Sequence, residues 1–163
     1  MTQEEKSLLL KDLCIRLPYG VKVQPLGSAS PHKFVGYDKS LVRIDTDQRF
    51  ELENIKPYLR PMSSMTEEEF QELHSICPHA AFNKTNVSGW IVGINGSYYG
   101  RISRIDEISK LIDWLNAHHF DYRGLIEKGL ALEAIEGMYK EWISIRGNLK
   151  EDKEGNIVGG LKL

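Results

Sequence analysis

The sequence predicts an α+β fold in which an N-terminal helix packs on a small antiparallel sheet. Three observations predict it. An amphipathic helical pattern opens the chain, short alternating runs fill residues 21–59, and helical patterns flank a β-rich run in the second half. The chain has 163 residues, of which 41% are hydrophobic. This corresponds to about one domain, or two very small ones, with enough apolar surface for a core.

The first helix is predicted by a capping box and an apolar stripe. Thr2 occupies the N-cap position, and Glu5 lies three residues later, as the capping box requires. The stripe follows on one helical face: Leu9, Leu10, Leu13, Cys14 and Leu17. Pro18 and Gly20 then end the helix, because neither residue continues a helical pattern well.

The sheet is predicted by four short runs bounded by turn residues: VKVQPL, KFVGYD, SLVRID and RFELEN. In the third run, Leu41, Arg43 and Asp45 share one face, which is the period of two of a half-buried antiparallel strand. Three or four such strands packed on one helix would make a small curled sheet or an SH3-like barrel, and the same patterning also fits an open meander. Residues 54–61 contain two prolines and are predicted as a 3₁₀ turn that leaves the sheet.

Residues 62–65 are predicted as a linker between region 1–62, the helix with its sheet or barrel, and region 66–163. The second region is predicted as helix, hairpin and helix, and both regions can share one core. Thr66 and Glu69 repeat the capping-box spacing at the start of its first helix. The stripe of this helix follows: Phe70, Leu73, His74 and Cys77.

Residues 79–88 are predicted as a polar loop, and the following β-rich run as a hairpin. Asn95 and Gly96 lie between two strand-like segments, which favours a type I′ turn. Ser103 caps the next helix. Its apolar stripe comprises Ile105, Ile108, Leu111, Ile112 and Leu115. The tail from residue 138 fits helix or strand, and the end of the chain fits a loose hairpin or a frayed tail.

Composition narrows the functional classes. The formal net charge is -2 and both signs are interspersed, so the composition carries no strong signature of nucleic-acid binding. The start MTQEEKSLLLKDL places acidic residues before a short apolar run, unlike a signal peptide. No run approaches the roughly 20 apolar residues of a membrane span. We therefore expect a cytoplasmic protein without a membrane partner, in which Cys14 and Cys77 are reduced. The glycines spell no phosphate loop, and no cofactor is predicted.

A metal site is one hypothesis. His74, Cys77 and His79 have the spacing H-x2-C-x-H, and these side chains are ligands that zinc prefers. A fourth ligand would come from His118, His119 or Cys14. No second ligand pair with zinc spacing is present, and His74 and Cys77 also fit the packed stripe of their helix. The packing interpretation is therefore favoured over the zinc site.

The pair His118 and His119 is a second candidate. Both lie at a predicted helix end, which stabilises a protonated imidazole, and Asp121 is close enough in sequence to orient one ring. A His-Asp pair is half of an acid-base apparatus. No serine or cysteine with a supporting motif accompanies the pair, so helix capping and packing is the favoured interpretation. No catalytic residue is predicted.

The strand region offers a candidate nucleic-acid surface. Its basic residues Lys39, Arg43 and Arg49 lie near Tyr37, and small β-domains bind single strands through mixed basic and aromatic surfaces. Acidic residues interleave these positions: Asp38, Asp45 and Asp47. Nucleic-acid binding is therefore an alternative function.

Two segments carry a resemblance. Residues 55–69 (IKPYLRPMSSMTEEE) and 113–134 (DWLNAHHFDYRGLIEKGLALEA) resemble recurrent stretches of small hypothetical proteins from Bacteroides-type gut bacteria and their prophages. The shared positions in the first segment are Lys56, Pro57, Tyr58, Leu59, Pro61, Ser63, Ser64 and Met65. Those in the second are Asp121, Tyr122, Arg123, Gly124, Leu125, Ile126, Gly129 and Leu130. The resemblance covers about a quarter of the chain and departs after Met138. It implies an accessory role in a phage or mobile element and transfers no catalytic residue.

The second segment fits a structural elbow, in which Arg123 pairs with Asp121 and Tyr122 buries its ring. The same groups exposed would form a recognition patch. The leading hypothesis is a non-catalytic protein-binding accessory protein, with nucleic-acid binding and a small zinc-dependent hydrolase as alternatives. The residues assigned to protein contacts are Tyr58, Arg60, His118, His119, Asp121, Tyr122 and Arg123.

Overall fold

The structure, a computed structural model, describes residues 1–77, 80–85, 89–94, 103–139, 150–151 and 157–158. The chain divides into two units, Met1–Glu133 and Ala134–Leu163. The first unit is an α+β structure with an N-terminal helix and a six-stranded, mostly antiparallel sheet. The predicted α+β class with an N-terminal helix and a sheet is therefore confirmed, whereas the helix–hairpin–helix arrangement of the second half stays a prediction.

The first helix, α1 (Gln3–Arg16), begins with the predicted capping box. The Glu5 N–H donates to Thr2 Oγ1 at 3.1 Å, and the Thr2 N–H donates to Glu5 Oε2 at 2.7 Å. The buried face of α1 differs from the predicted stripe. Leu9 and Leu13 are buried as expected, whereas Cys14 and Leu17 are exposed. Two charged residues, Asp12 and Arg16, take their place.

The sheet order is β4-β3-β2-β1-β5-β8. Its strands are β1 (Lys22–Pro25), β2 (His32–Asp38), β3 (Leu41–Ile44), β4 (Arg49–Glu51), β5 (Ile55–Leu59) and β8 (Leu132–Glu133). All neighbours are antiparallel except β5 and β8, which are parallel. This order is that of an open sheet, and it does not confirm the SH3-like barrel.

The prediction of a 3₁₀ turn over residues 54–61 was wrong. Only Leu52–Asn54 forms a 3₁₀ turn, and β5 follows it directly. Ile55 and Leu59 are fully buried in this strand, so their burial outweighs the low strand propensity of Pro57.

The second predicted helix is α2 (Glu67–Ile76), and its capping box between Thr66 and Glu69 is confirmed. Leu73 and Cys77 are buried, but His74 is exposed and does not belong to the apolar stripe. The polar loop predicted for residues 79–88 was wrong, because Ala80–Thr85 forms β6.

Strand β6 pairs antiparallel with β7 (Gly89–Ile94), in register from Ala80 opposite Ile94 to Thr85 opposite Gly89. Among the described residues, the strand that pairs with β7 is therefore β6, which comes before it in the chain. The predicted turn at Asn95 and Gly96 lies outside the described residues. Helix α3 (Ser103–Ala117) follows, with Leu111 and Leu115 buried and Ile108 more exposed than its stripe predicts.

Two hydrophobic clusters form among the described residues of the first unit. One joins α1 and the inner face of the sheet to residues after α3: Leu9, Leu13, Val21, Val23, Phe34, Val42, Ile44, Leu52, Ile55, Leu59, Leu125, Leu130 and Ala131. The other joins α2 and α3 through Met65, Leu73, Cys77, Leu111, Trp114, Leu115 and Phe120. No helix within the described ranges is long and apolar enough to cross a membrane.

The second unit contains a turn at residues 136–139 and two short strands. These strands, β9 (Lys150–Glu151) and β10 (Ile157–Val158), pair antiparallel. The pairing agrees with the hairpin alternative for the end of the chain.

Candidate functional site

Three of the residues assigned to protein contacts are brought together by a short parallel bridge. The Arg60 N–H donates to His119 O at 2.8 Å, and the Asp121 N–H donates to Arg60 O at 2.7 Å. The segment after α3 thereby runs beside the end of β5. Arg60, His119 and Asp121 thus meet although they are distant in sequence.

The Arg60 guanidinium is held by internal contacts. Its two terminal nitrogens donate to Glu69 at 2.6 and 2.8 Å, and it lies 4.3 Å from the centre of the Phe120 ring. Burial alone would raise the pKa of Glu69, but hydrogen bonds from Arg60 and from the Thr66 N–H lower it below the usual value. This bidentate pair fixes the start of α2 against the end of β5.

The two histidines have different environments. The His118 ring stacks on Trp114 with centres 3.9 Å apart, and its Nδ1–H donates to Trp114 O at 2.9 Å. Burial lowers the pKa of His118. His119 is fully buried in the left-handed conformation, with φ of 58°. Burial and the nearby Arg16 charge lower the pKa of His119 to about 3, so its ring is neutral near pH 7.

A buried ion pair lies on α1. Arg16 Nε donates to Asp12 Oδ2 at 2.8 Å, both side chains are fully buried, and Arg16 Nη2 donates to Phe120 O at 2.8 Å. Arg123 approaches the same carboxylate at 3.4 Å, so it pairs with Asp12 and not with Asp121 as the elbow hypothesis expected. Tyr122 lies beneath both guanidinium groups.

The Asp121 carboxylate accepts hydrogen bonds from the backbone that follows it. Its two carboxylate oxygens accept hydrogen bonds from the N–H groups of Leu125 and Ile126, both at 2.8 Å. The Tyr122 hydroxyl donates to Asn116 Oδ1 at 3.1 Å. These contacts stabilise the turn after α3. The polar side chains of this segment therefore have a structural role within the turn.

The proposed zinc ligands are only partly described. His74 is exposed on α2, and Cys77 is buried with its Sγ 3.0 Å from Glu107 O. Burial raises the pKa of the Cys77 thiol. His79 lies outside the described residues. Across the ranges that the structure covers, no three His, Cys, Asp or Glu side chains are grouped so as to hold a metal ion.

One face of the sheet carries a concentration of basic side chains. We call it the outer face, because its residues alternate with those of the hydrophobic cluster on α1. The face contains the basic residues Lys22, Lys33, Arg43, Arg49 and Lys56. Lys22 is paired with Lys33 across β1 and β2, and Arg43 is paired with Arg49 across β3 and β4.

Acidic residues lie among these basic residues, and Glu51 is exposed two residues after Arg49 on β4. Asp45 accepts hydrogen bonds from the Lys33 N–H at 3.1 Å and lies 3.2 Å from the His32 ring. Asp47 lies 3.9 Å from one Arg43 nitrogen. Lys39, the third predicted nucleic-acid residue, lies exposed at the turn between β2 and β3, with φ of 48°.

A contact set that the sequence did not signal lies beside β1. Ser28 Oγ is 3.1 Å from His32 Nε2, and His32 Nδ1 is 3.2 Å from Asp45 Oδ1. Ser28 also lines a cavity of about 220 Å³ between the β1–β2 loop and β5. The serine lies in an ordinary Gly-Ser-Ala-Ser-Pro loop (residues 27–31), and the aspartate is distant in sequence. The pairing of β2 with β3 brings the three residues together.

Comparison of the chain with protein-family models, with curated proteins and with solved structures gave no match.

Proposed function

We propose that this protein binds single-stranded nucleic acid on the outer face of its six-stranded sheet. The observation that carries the proposal is that like-charged residues lie opposite each other in the strand register at two places, Lys22 with Lys33 and Arg43 with Arg49. Like charges directly opposite each other destabilise a sheet. A bound polyanion relieves this repulsion and releases its own counterions.

The spacing of the basic residues suits an extended chain of phosphates. Neighbouring strands lie about 4.8 Å apart, so side chains on the five strands β1 to β5 distribute positive charge across the face. Lys22, Lys33 and Lys56 lie on three adjacent strands of this face. Arg43 and Arg49 extend the positive charge to the edge strand β4.

One aromatic residue accompanies these cations. Tyr58 lies on the outer face, where its hydroxyl donates to Gln24 Oε1 at 2.8 Å. Tyr37, near the end of β2, is paired with the buried Val42 and therefore lies on the opposite face of the sheet. Bases stack on rings such as that of Tyr58 in proteins that bind single strands without sequence preference. We therefore favour a single strand over a duplex, whose bases are already stacked.

The residues assigned to protein contacts support this choice indirectly. Arg60, Asp121 and Arg123 make ion pairs or hydrogen bonds within the chain, and these contacts account for their positions. A protein partner, a zinc-dependent hydrolase activity and an accessory role in a phage or mobile element stay predictions.

The test is the fluorescence anisotropy of a labelled oligothymidine titrated with the protein at several salt concentrations. If all five cations contact phosphates, log Kd changes with log salt with a slope of about 3.5. The affinity then falls about 100-fold between roughly 50 and 200 mM salt. A double variant, Arg43→Glu with Arg49→Glu, should bind more weakly and show a smaller salt slope.

The matched control is Lys11→Glu with Lys110→Glu. It makes the same change in net charge at exposed positions on α1 and α3. The control should bind like the unmodified protein at each salt concentration. Affinity that does not depend on salt, or equal losses in both double variants, contradicts binding on the outer face.

A further inference from the structure

We propose that Ser28, His32 and Asp45 form a hydrolytic triad that cleaves esters with short apolar acyl groups. The two contacts that define a triad are both present: hydroxyl to imidazole at 3.1 Å and imidazole to carboxylate at 3.2 Å. Such triads are recognised by geometry and roles and not by the order of residues in the chain. This activity goes beyond nucleic-acid binding.

The loop that carries the nucleophile is held in place. Gln24 Nε2 donates to Ser28 O at 2.6 Å, and Gln24 Oε1 accepts from the Tyr58 hydroxyl at 2.8 Å. The Ser28 N–H donates to Pro25 O at 3.1 Å. Gln24 is therefore a positioning residue that fixes the backbone of Ser28 to β1 and β5.

The second oxygen of Asp45 is also bound. Asp45 Oδ2 accepts from the Lys33 N–H at 3.1 Å, which leaves Oδ1 directed at the His32 ring. With the proton of His32 on Nδ1, this carboxylate stabilises the tautomer whose Nε2 accepts the Ser28 proton. The Ser28 hydroxyl also lies 3.0 Å from Ser30 O, and substrate binding must favour the histidine over this carbonyl.

The cavity beside Ser28 determines the substrate class. Its apolar wall is formed by Pro25, Leu26 and Leu132, and its volume is about 220 Å³. Pockets for drug-sized ligands begin at about 300 Å³, so this one suits a short acyl chain. Asn54 and Lys56 line the same cavity and are the candidate donors to the oxyanion.

The reaction consumes one ester and one water. Ser28 Oγ attacks the carbonyl carbon while its proton moves to His32 Nε2, and the alcohol then leaves with that proton as the carbon–oxygen bond breaks. Water attacks the acyl-serine and gives a proton to His32. Ser28 Oγ departs with this proton, which releases the carboxylic acid and restores the triad.

The test uses the full chain with p-nitrophenyl butyrate and with a fluorophosphonate probe. We expect one probe adduct, located on Ser28 by peptide mapping, and release of p-nitrophenol. Ser28→Ala should abolish both. His32→Gln should slow both by at least about 100-fold, which is the usual contribution of general base catalysis. Asp45→Asn should lower kcat with little change in KM, whereas a residue that only shapes the pocket would change KM.

The matched control is Ser30→Ala, which removes a neighbouring exposed hydroxyl and keeps the backbone carbonyl. It should be labelled as fast as the unmodified protein. Circular dichroism and thermal melts establish that each variant is folded. The proposal is overturned if folded protein gives no adduct on Ser28, if the adduct forms on another residue, or if His32→Gln is labelled at the unmodified rate.

Discussion

Arg60 and Glu69 are joined by two hydrogen bonds, of 2.6 and 2.8 Å, that tie the residue after β5 to the first turn of α2. The two side chains are 18% and 15% exposed, so solvent screens the pair only in part. Glu69 also accepts the Thr66 N–H in the capping box. One carboxylate therefore connects the start of a helix to the sheet.

Glu69→Gln should lower the free energy of unfolding at pH 7 by about 1–3 kcal/mol, because it removes charge-assisted hydrogen bonds. Glutamine keeps the capping box, so the loss of stability measures the interaction of residue 69 with Arg60. The pKa of Glu69 lies below its usual value of 4.5 in the folded protein. Its contribution is therefore present above about pH 4.5 and is lost as the pH falls through the folded pKa.

Urea denaturation at pH 7 and at several values below 4.5 measures this effect. The difference between the unmodified protein and Glu69→Gln should shrink in acid. Glu67→Gln, in the same helical turn, is the control and should change stability little. An equal loss for Glu67→Gln and Glu69→Gln contradicts a specific role for the Arg60 pair.

Asp12→Ala should destabilise the protein by about 3–5 kcal/mol, because it leaves Arg16 buried without its counter-charge. Replacing both residues, Asp12→Leu with Arg16→Met, should cost less than Asp12→Ala alone, since no charge is then buried. Chemical denaturation of the three proteins measures this order. If the double variant loses at least as much stability as Asp12→Ala, an unpaired buried charge is not the main cause of the destabilisation.

His119 should make stability fall as the solution becomes acidic. Its pKa in the folded protein is about 3, below the usual 6.5, so folding favours the neutral ring. This contribution is complete above pH 6.5 and is lost as the pH falls toward 3, at about 1.4 kcal/mol per pH unit.

His119→Asn should therefore flatten the dependence of stability on pH between 7.5 and 5. Asparagine tolerates the left-handed backbone that His119 adopts, so the substitution does not add backbone strain. Denaturation curves at several pH values measure the slope, and His74→Asn, at an exposed position on α2, should leave it unchanged. An unchanged slope in His119→Asn contradicts the assignment of a neutral buried ring.

Arg49→Glu should stabilise the free protein by about 0.2–1 kcal/mol, because an opposite charge then faces Arg43 across β3 and β4. The same change should weaken oligothymidine binding. Thermal denaturation and anisotropy on one sample test both effects, with Arg49→Gln expected to be intermediate. A variant that loses stability and keeps its affinity contradicts both the cross-strand repulsion and the proposed surface.

Local signals in the sequence were sufficient for some elements. The capping boxes at Thr2 and Thr66 were predicted from spacing alone, because each involves hydrogen bonds within three residues. The four runs in residues 21–59 were predicted as strands because alternation is visible in a short window. In contrast, β5 and β6 were missed, since Pro57 and the polar residues of 79–88 point away from strands unless their pairing partners are known.

The sequence by itself determined the α+β class, the starts of α1 and α2, and the apolar residues available to the core. Tertiary structure alone decided which polar residues meet. Asp12 and Arg16 are buried because the segment around Phe120 covers α1, and Ser28, His32 and Asp45 meet because β2 pairs with β3. The physical reason is the separation in sequence of the residues that interact. Helix caps and strand alternation depend on neighbours in the chain. A site depends on contacts between distant segments, which the fold alone establishes.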